Sequence, residues 1–287
     1  MNENFLVKHK RHVVLLFLFG IVFSTHGETT AIEEFDTKFS LGLSGSFNFV
    51  VFNNQNNNFI SNAPAYLGLS FGYKDYSASF NIALPFTYDK TPGTRAPFDA
   101  GFVLYQEHWS EEIKVKFYDD WIFEKNPFDM QLITGYLQGL YIVNSNNFSL
   151  RAAYPMNRLQ RTSSGSLIAG GNIRVTTIKS NSIVPYNERW WGVSLGPCIG
   201  YSYTFVMKNL FFLNFYILGG AALGVDCVEP GVFFSPFAIP KIAVGKHNKT
   251  WSMNFVLEFD YLSFVGENIS HDFFLFNSAS LGGVKRF

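Results

Sequence analysis

The chain has 287 residues, enough for one large folded unit or two modest ones, and its 22 Lys and Arg are balanced by 22 Asp and Glu. That balance excludes the basic footprint of a nucleic-acid-binding protein and any acidic tail. Only 15% of residues are charged while 18% are aromatic, a composition ill-suited to a water-facing surface and well suited to strands that face hydrocarbon.

At the N-terminus Lys8, Lys10 and Arg11 precede an apolar run from Val13 to Phe23, then Ser24, Thr25, His26 and Gly27. This is the layout of a secretory signal peptide, so residues 1–27 are expected to be removed and 28–287 to form the mature domain. The run is too short to span a bilayer as a helix. No Cys stands directly after it, at the expected new N-terminus, to carry a lipid anchor.

Beyond this point, large apolar residues alternate with small polar ones. Leu41, Leu43, Phe47, Phe49 and Val51 interleave with Ser40, Gly42, Ser44, Ser46 and Asn48. The same occurs at Leu67, Leu69 and Phe71 with Gly68, Ser70 and Gly72, and at Trp191, Val193, Leu195, Ile199 and Tyr201 with Gly192, Ser194, Gly196 and Gly200. A strand points alternate side chains to opposite faces. The pattern therefore predicts an all-β, single antiparallel up-and-down transmembrane barrel, its bulky face in lipid and its Gly/Ser face around the lumen.

In chain order the strands are expected at 38–52, 64–74, 76–86, 98–109, 111–118, 130–143, 147–154, 165–177, 190–206, 209–226, 237–247, 250–262 and 272–286. That makes thirteen, and a barrel with both termini in the periplasm needs an even number. Residues 178–189, "IKSNSIVPYNER", are the ambiguous stretch, and twelve is favoured over fourteen. Short turns at 74–75, 110–111, 145–146, 208–209 and 247–249 alternate with longer stretches at 52–63, 87–97, 119–129, 155–163 and 227–236. Tight periplasmic turns and long external loops give this asymmetry.

All five Trp (109, 121, 190, 191 and 251) fall near expected strand ends, where an interfacial aromatic girdle would put them. The chain ends on Phe287, the terminal aromatic through which the outer-membrane assembly machinery would recognise the last strand. A hairpin about Lys208 would set Cys198 opposite residue 218, about 30 Å from Cys227, too far for a disulfide.

The stretch "RAAYPMNRLQRTSSGSLIAGG" at 151–171 places Arg158, Gln160, Arg161, Ser163, Ser164, Gly165 and Ser166 in a short polar loop that opens the next strand. With "AYLGLSFGYKDYSASFNIALP" at 65–85 it resembles an uncharacterised family of bacterial outer-membrane barrels, domain of unknown function 4421. The resemblance implies a barrel and supplies no mechanism.

Arg151, Arg174, Glu258, Asp260 and Asp226 are the charged candidates for the lumen, because arginine facing mid-bilayer costs about 2–4 kcal/mol. One reading is a charge-selective constriction, the other an internal ion-pair network that fills a small barrel. Arg158 and Arg161, in the signature loop, could hold anionic lipopolysaccharide or a phosphate-bearing solute at the mouth, or simply keep that loop solvated. For catalysis, His247 with Ser252 and Ser270 with His271 and Asp272 are the nearest approaches to a nucleophile and base, and neither forms a motif of that kind. No metal-binding spacing is present, and neither catalytic residues nor a cofactor are expected. Two functions compete: a narrow, weakly selective solute channel, and a closed structural or surface-interaction barrel. A soluble exported β-sandwich is the third reading. The expected partners are outer-membrane lipid and lipopolysaccharide together with the assembly machinery, with no nucleic acid.

Overall fold

The computed structural model describes residues 31–54, 57–61, 65–87, 95–123, 126–180, 189–229, 231–266 and 272–287. The expected signal peptide, Ser270, His271 and most of the ambiguous stretch at 178–189 lie outside them. In chain order the elements are β1 (Ile32–Glu34), β2 (Phe39–Asn54), β3 (Asn57–Ser61), β4 (Ala65–Tyr73), β5 (Tyr76–Ala83), β6 (Phe98–Tyr105), β7 (Trp109–Phe123), β8 (Asn126–Ile142), the short helix α1 (Leu150–Ala153), β9 (Arg158–Gln160), β10 (Ser164–Ser180), β11 (Trp190–Val206), β12 (Phe211–Asp226), β13 (Gly231–His247), β14 (Trp251–Gly266) and β15 (Asp272–Arg286).

Twelve of these strands, all but β1, β3 and β9, pair antiparallel with their neighbours in one ring. The last strand closes on the first, with Arg286 opposite Ser40 and Phe273 opposite Asn53. Residues of odd number, such as Leu43, Leu69 and Leu195, point outward over much of the ring, and Leu195 is 62% exposed. Such an apolar exterior around a closed sheet, with no edge left unpaired, is the solution for a strand protein in hydrocarbon. The alternation read from the sequence therefore holds, with the bulky face outward.

The seventh expected strand, 147–154, is not one and is the surplus in the count of thirteen. Phe148, Leu150, Ala152 and Tyr154 alternate as a strand would, but Leu150–Ala153 is a helical turn folded into the lumen with all four residues buried. Inside a barrel every direction meets side chains, so the alternation carries no strand information there. The connection from β8 to β10 consequently lies at the end of the barrel that carries Phe39 and Arg286, called here the terminal end, so 155–163 is not a loop on the side of the longer stretches. Nor are 119–129 and 227–236 long loops, since β7 and β8 extend to Phe123 and from Asn126, and β13 begins at Gly231.

The ring narrows toward the far end. There β2 turns into β3, with Asn53 opposite Asn58, and β3 passes Ile60 and Ser61 to Ile122 and Trp121 of β7. One strand thus replaces β4, β5 and β6, so ten strands surround the lumen at this level instead of twelve. Barrel diameter grows with strand number, so the far end is the tighter one.

Trp109, Trp191 and Trp251 face outward near strand ends, as a girdle would require. Trp121 and Trp190 are instead buried inside the ring, correcting the expectation for all five. Cys198 lies opposite Gly220 rather than residue 218, and both Cys198 and Cys227 are free thiols.

Candidate functional site

Three layers fill the lumen. At the far end, Phe52, Phe274, Phe264, Phe233, Trp190, Trp121 and Phe59 come from seven different strands, and none is more than 4% exposed. Phe52 stacks on Phe274 at 4.4 Å between centroids, Phe274 meets Phe264 edge-on at 6.0 Å, and Phe264 meets Trp190 at 5.6 Å. Aromatic rings at such separations gain from their quadrupoles as well as from burial. The narrower ring brings the walls within reach of these side chains, so they form an apolar seal with an interior like that of a soluble core.

The middle layer is charged. Glu258 on β14 receives Lys241 from β13 at 3.0 Å and Lys114 from β7 at 3.9 Å. Asp260, two residues on, receives Arg174 at 3.5 Å and Lys116 at 3.7 Å. The Arg174 guanidinium also lies 5.5 Å from the Tyr136 ring and 5.8 Å from that of Phe237. Counting Glu112 and Asp99, whose charges also act on Lys114, four cations face four carboxylates, a balance that lets such groups stay out of bulk water. Sequence reasoning named Arg174, Glu258 and Asp260 but missed Lys114, Lys116 and Lys241. The signal was available, since Lys114 and Lys116 alternate with Ile113 and Val115, which face lipid.

Asp226 and Arg151 are not part of this layer. Asp226 ends β12, accepts the Trp190 indole N–H at 2.8 Å and caps the following turn through the backbone N–H groups of Val228 and Glu229. Arg151 sits on α1 rather than on a strand. It donates to the Asp75 carboxylate at 2.7 Å, the Lys74 carbonyl at 2.6 Å and Asn157 Oδ1 at 3.0 Å. Burial lowers its pKa from the ordinary arginine value, Arg158 adds to the shift, and Asp75 opposes it.

The third layer is the plug at the terminal end, built from Phe148 to Gln160. The Asn254 amide donates to the Ala153 carbonyl at 2.9 Å, and the Tyr154 hydroxyl donates to Asn214 Oδ1 at 2.8 Å, tying the plug to β14 and β12. Arg286 secures its other side by donating to the Met156 carbonyl at 2.6 Å. The signature residues shape this plug. Gln160 accepts the Ser149 backbone N–H at 3.2 Å, Ser166 accepts that of Asn144 at 2.9 Å, and Ser163 accepts that of Val206 at 2.9 Å. Gly165 accepts the Asn144 amide at 2.9 Å through its carbonyl. Arg158 and Arg161 pair with Glu34 and Glu33 of β1, which forms a separate two-stranded ladder with β9. They therefore lie at the terminal end, the same end as the short turns.

His247 and Ser252 face each other across the β13–β14 ladder, both inward, with Nδ1 2.8 Å from Oγ. Ser252 also receives the Arg286 guanidinium, and His247 stacks on Phe212 at 4.7 Å. A cation donating to the hydroxyl oxygen ties up the lone pairs that a nucleophile would use, and among the described residues no carboxylate hydrogen-bonds to this histidine as the third member of a triad would. Among the described residues no cluster of His, Cys, Asp or Glu is placed to hold a metal ion.

A closed antiparallel ring with an apolar exterior and a filled polar interior defines a transmembrane β-barrel of the outer-membrane type. The chain belongs to the family described as Domain of unknown function (DUF4421), whose model matches residues 37–277. Solved structures similar to it include a bacterial polysaccharide outer membrane secretin (10% identity, 88% of this chain and 99% of that chain, TM-score 0.40) and the outer membrane protease OmpT of Escherichia coli (11%, 92% and 99%, 0.36). An anion-selective porin from Comamonas acidovorans is also similar (7%, 87% and 100%, 0.33). A comparison with curated protein sequences finds no match.

Proposed function

We propose that this protein is a closed barrel of the bacterial outer membrane, oriented with its terminal end in the periplasm, that does not pass solutes by free diffusion and acts through the structures at its two ends. The observation that carries this reading is the aromatic seal from Phe52 to Trp190, which leaves no solvent around seven large side chains where the ring is narrowest. A hydrophobic block of this kind is a barrier to ions because each would have to shed its hydration shell. Single-channel recording of the purified protein in planar bilayers tests it: the expected result is silence, and steady openings would overturn it.

The competing reading, a narrow and weakly selective solute channel, draws support from the charged layer around Glu258 and Asp260. That reading requires the seal to move, and the same recording distinguishes the two. In this orientation the exposed Phe287 side chain at the end of β15 is available to the assembly machinery, and the outward aliphatic band meets membrane lipid. Lipopolysaccharide contact by Arg158 and Arg161 does not fit this orientation, since both lie at the periplasmic end and are paired with glutamates.

A further inference from the structure

The lumen is unevenly filled. On the side of β8 and β13 it is packed with large residues such as Leu132, Tyr136, Phe237 and Ile239, whereas β2, β4, β5 and β15 face it with small ones such as Ser44, Ser46, Ser70, Ser79, Ser280 and Gly282. A single strand shows the contrast, because β2 runs inward through these small residues to Asn48 and then changes to Val50 and Phe52 at the seal. If the lumen needed only filling, large side chains would serve below as they do above. Instead a cavity of about 300 Å³ remains between the plug and the seal, continued upward by one of about 190 Å³. The two share Ser44, Ser70, Ser79, Lys114, Val256, Glu258 and Ser280.

We propose that this chamber is a binding site for a small, neutral, hydroxyl-rich solute, of the chemical class of mono- and disaccharides. The volume lies at the lower edge of the range for small-molecule sites. Among the described residues, the hydroxyls of Ser70, Ser79 and Ser280 make no hydrogen bond to protein, so donors and acceptors converge on the space without partners. Asn48, only 6% exposed, borders the upper part, and its Oδ1 is likewise unpartnered. A buried acceptor left this way costs about 1–3 kcal/mol, and a turn of the amide toward the chamber would let a ligand hydroxyl recover it.

The charges argue for neutrality. Lys114, Lys116, Lys241 and Arg174 are matched in number by Glu258, Asp260, Asp99 and Glu112, so the chamber as a whole offers an ionic ligand no net charge. Tyr118 and Phe276, rings 5.9 Å apart, border the upper part and give an apolar surface for the C–H face of a sugar ring. At the terminal end, Ser40 and Gly72 continue the small-residue wall into an open vestibule of about 770 Å³.

Calorimetric titration of the detergent-solubilised full chain with glucose and sucrose, and with gluconate as the anionic counterpart, tests the proposal. A neutral sugar is expected to bind, with gluconate at least about tenfold weaker. Ser79→Phe, which fills the chamber, should abolish binding, and Asn48→Leu, which removes the unpartnered acceptor at similar volume, should weaken it by about tenfold. Both variants are first checked for a wild-type β-sheet spectrum and cooperative melting; should Ser79→Phe fail that check, Asn48→Leu decides. No heat with either sugar, tighter binding of gluconate, or sugar binding unchanged in the folded variants would each overturn it. Because the assay reads binding and not conductance, it is independent of whether the seal opens.

Discussion

Lys241 and Glu258 are cross-strand partners on β13 and β14, and their ammonium and carboxylate meet at 3.0 Å inside the barrel while Lys114 reaches the same carboxylate from β7. The carboxylate therefore joins one wall of the ring to another. Glu258→Gln leaves two ammonium groups facing each other across the chamber without compensation. The loss should be about 2 kcal/mol, below that of a fully dry pair because the chamber admits water. Denaturant unfolding of Glu258→Gln and of Glu258→Gln with Lys241→Met measures it. The second substitution should restore part of the stability, and equal or additive losses would mean that the two charges are not coupled.

The seal makes a separate prediction. Phe52, Phe264 and Phe274 are neighbours, and replacing all three by Ser removes the rings that fill the centre of the ten-stranded ring. Each large-to-small change there should cost about 3–5 kcal/mol, the range for buried Phe→Ala substitutions. Single-channel recording should detect openings in the triple variant and none in the wild type. A silent triple variant that still melts cooperatively would place the barrier elsewhere, in the plug.

Where sequence and structure part company, the reasons are local. Strand alternation was legible because lipid and lumen are different solvents on the two faces of every strand. By the same parity Trp190 belongs with Gly192 and Ser194 on the inner face, so its burial could have been read, whereas its position at a strand end suggested a girdle. Trp121 could not be placed that way. The register shifts between Asp119 and Trp121, and this one-residue irregularity turns an odd-numbered residue inward on a strand whose inward residues are otherwise even, such as Lys114 and Lys116. The helix at Leu150–Ala153 was hidden because a segment surrounded by barrel wall needs no amphipathic period. The pairing of Glu258 and Asp260 with lysines on β7 depends on which strands face each other across the lumen, and alternation within a strand says nothing about that.

Close approach of strands gives a further test at two glycines. A Cβ on Gly170 would lie 1.9 Å from the Gly139 carbonyl oxygen and 3.1 Å from the Leu140 Cα, both backbone atoms that cannot rotate aside. A Cβ on Gly45 would meet nothing within 4 Å. Gly170→Ala should therefore force β8 and β10 apart and lower stability by about 1–3 kcal/mol. Gly45→Ala should leave it unchanged or raise it by about 0.5–1 kcal/mol, as expected when a strand glycine is replaced without a clash. Thermal melting followed by circular dichroism compares them, and equal effects would contradict the register between β8 and β10.

Arg286 couples three parts of the chain at the terminal end. Its guanidinium donates to the Met156 carbonyl at 2.6 Å, to the Asn248 carbonyl at 3.0 Å and to the Ser252 hydroxyl, and it lies 3.4 Å from the Phe35 ring centroid. Met156 has a positive φ of 54°, a conformation unusual for a residue with a side chain, and one that the Arg286 contact to its carbonyl helps to hold. Because β15 carries this arginine, this particular fastening of the plug forms only after the last strand is in place. Arg286→Gln should loosen the plug while leaving the ring closed, since the β15–β2 ladder depends on backbone groups. Limited proteolysis in detergent should then cut within residues 143–163 at a rate about tenfold above wild type, corresponding to the loss of one buried charge-assisted hydrogen bond. Arg286→Lys should restore little of the protection, because a single ammonium cannot reproduce the planar fork that spans Met156 and Asn248. Cleavage unchanged in Arg286→Gln would show that the Asn254 and Tyr154 contacts hold the plug without it.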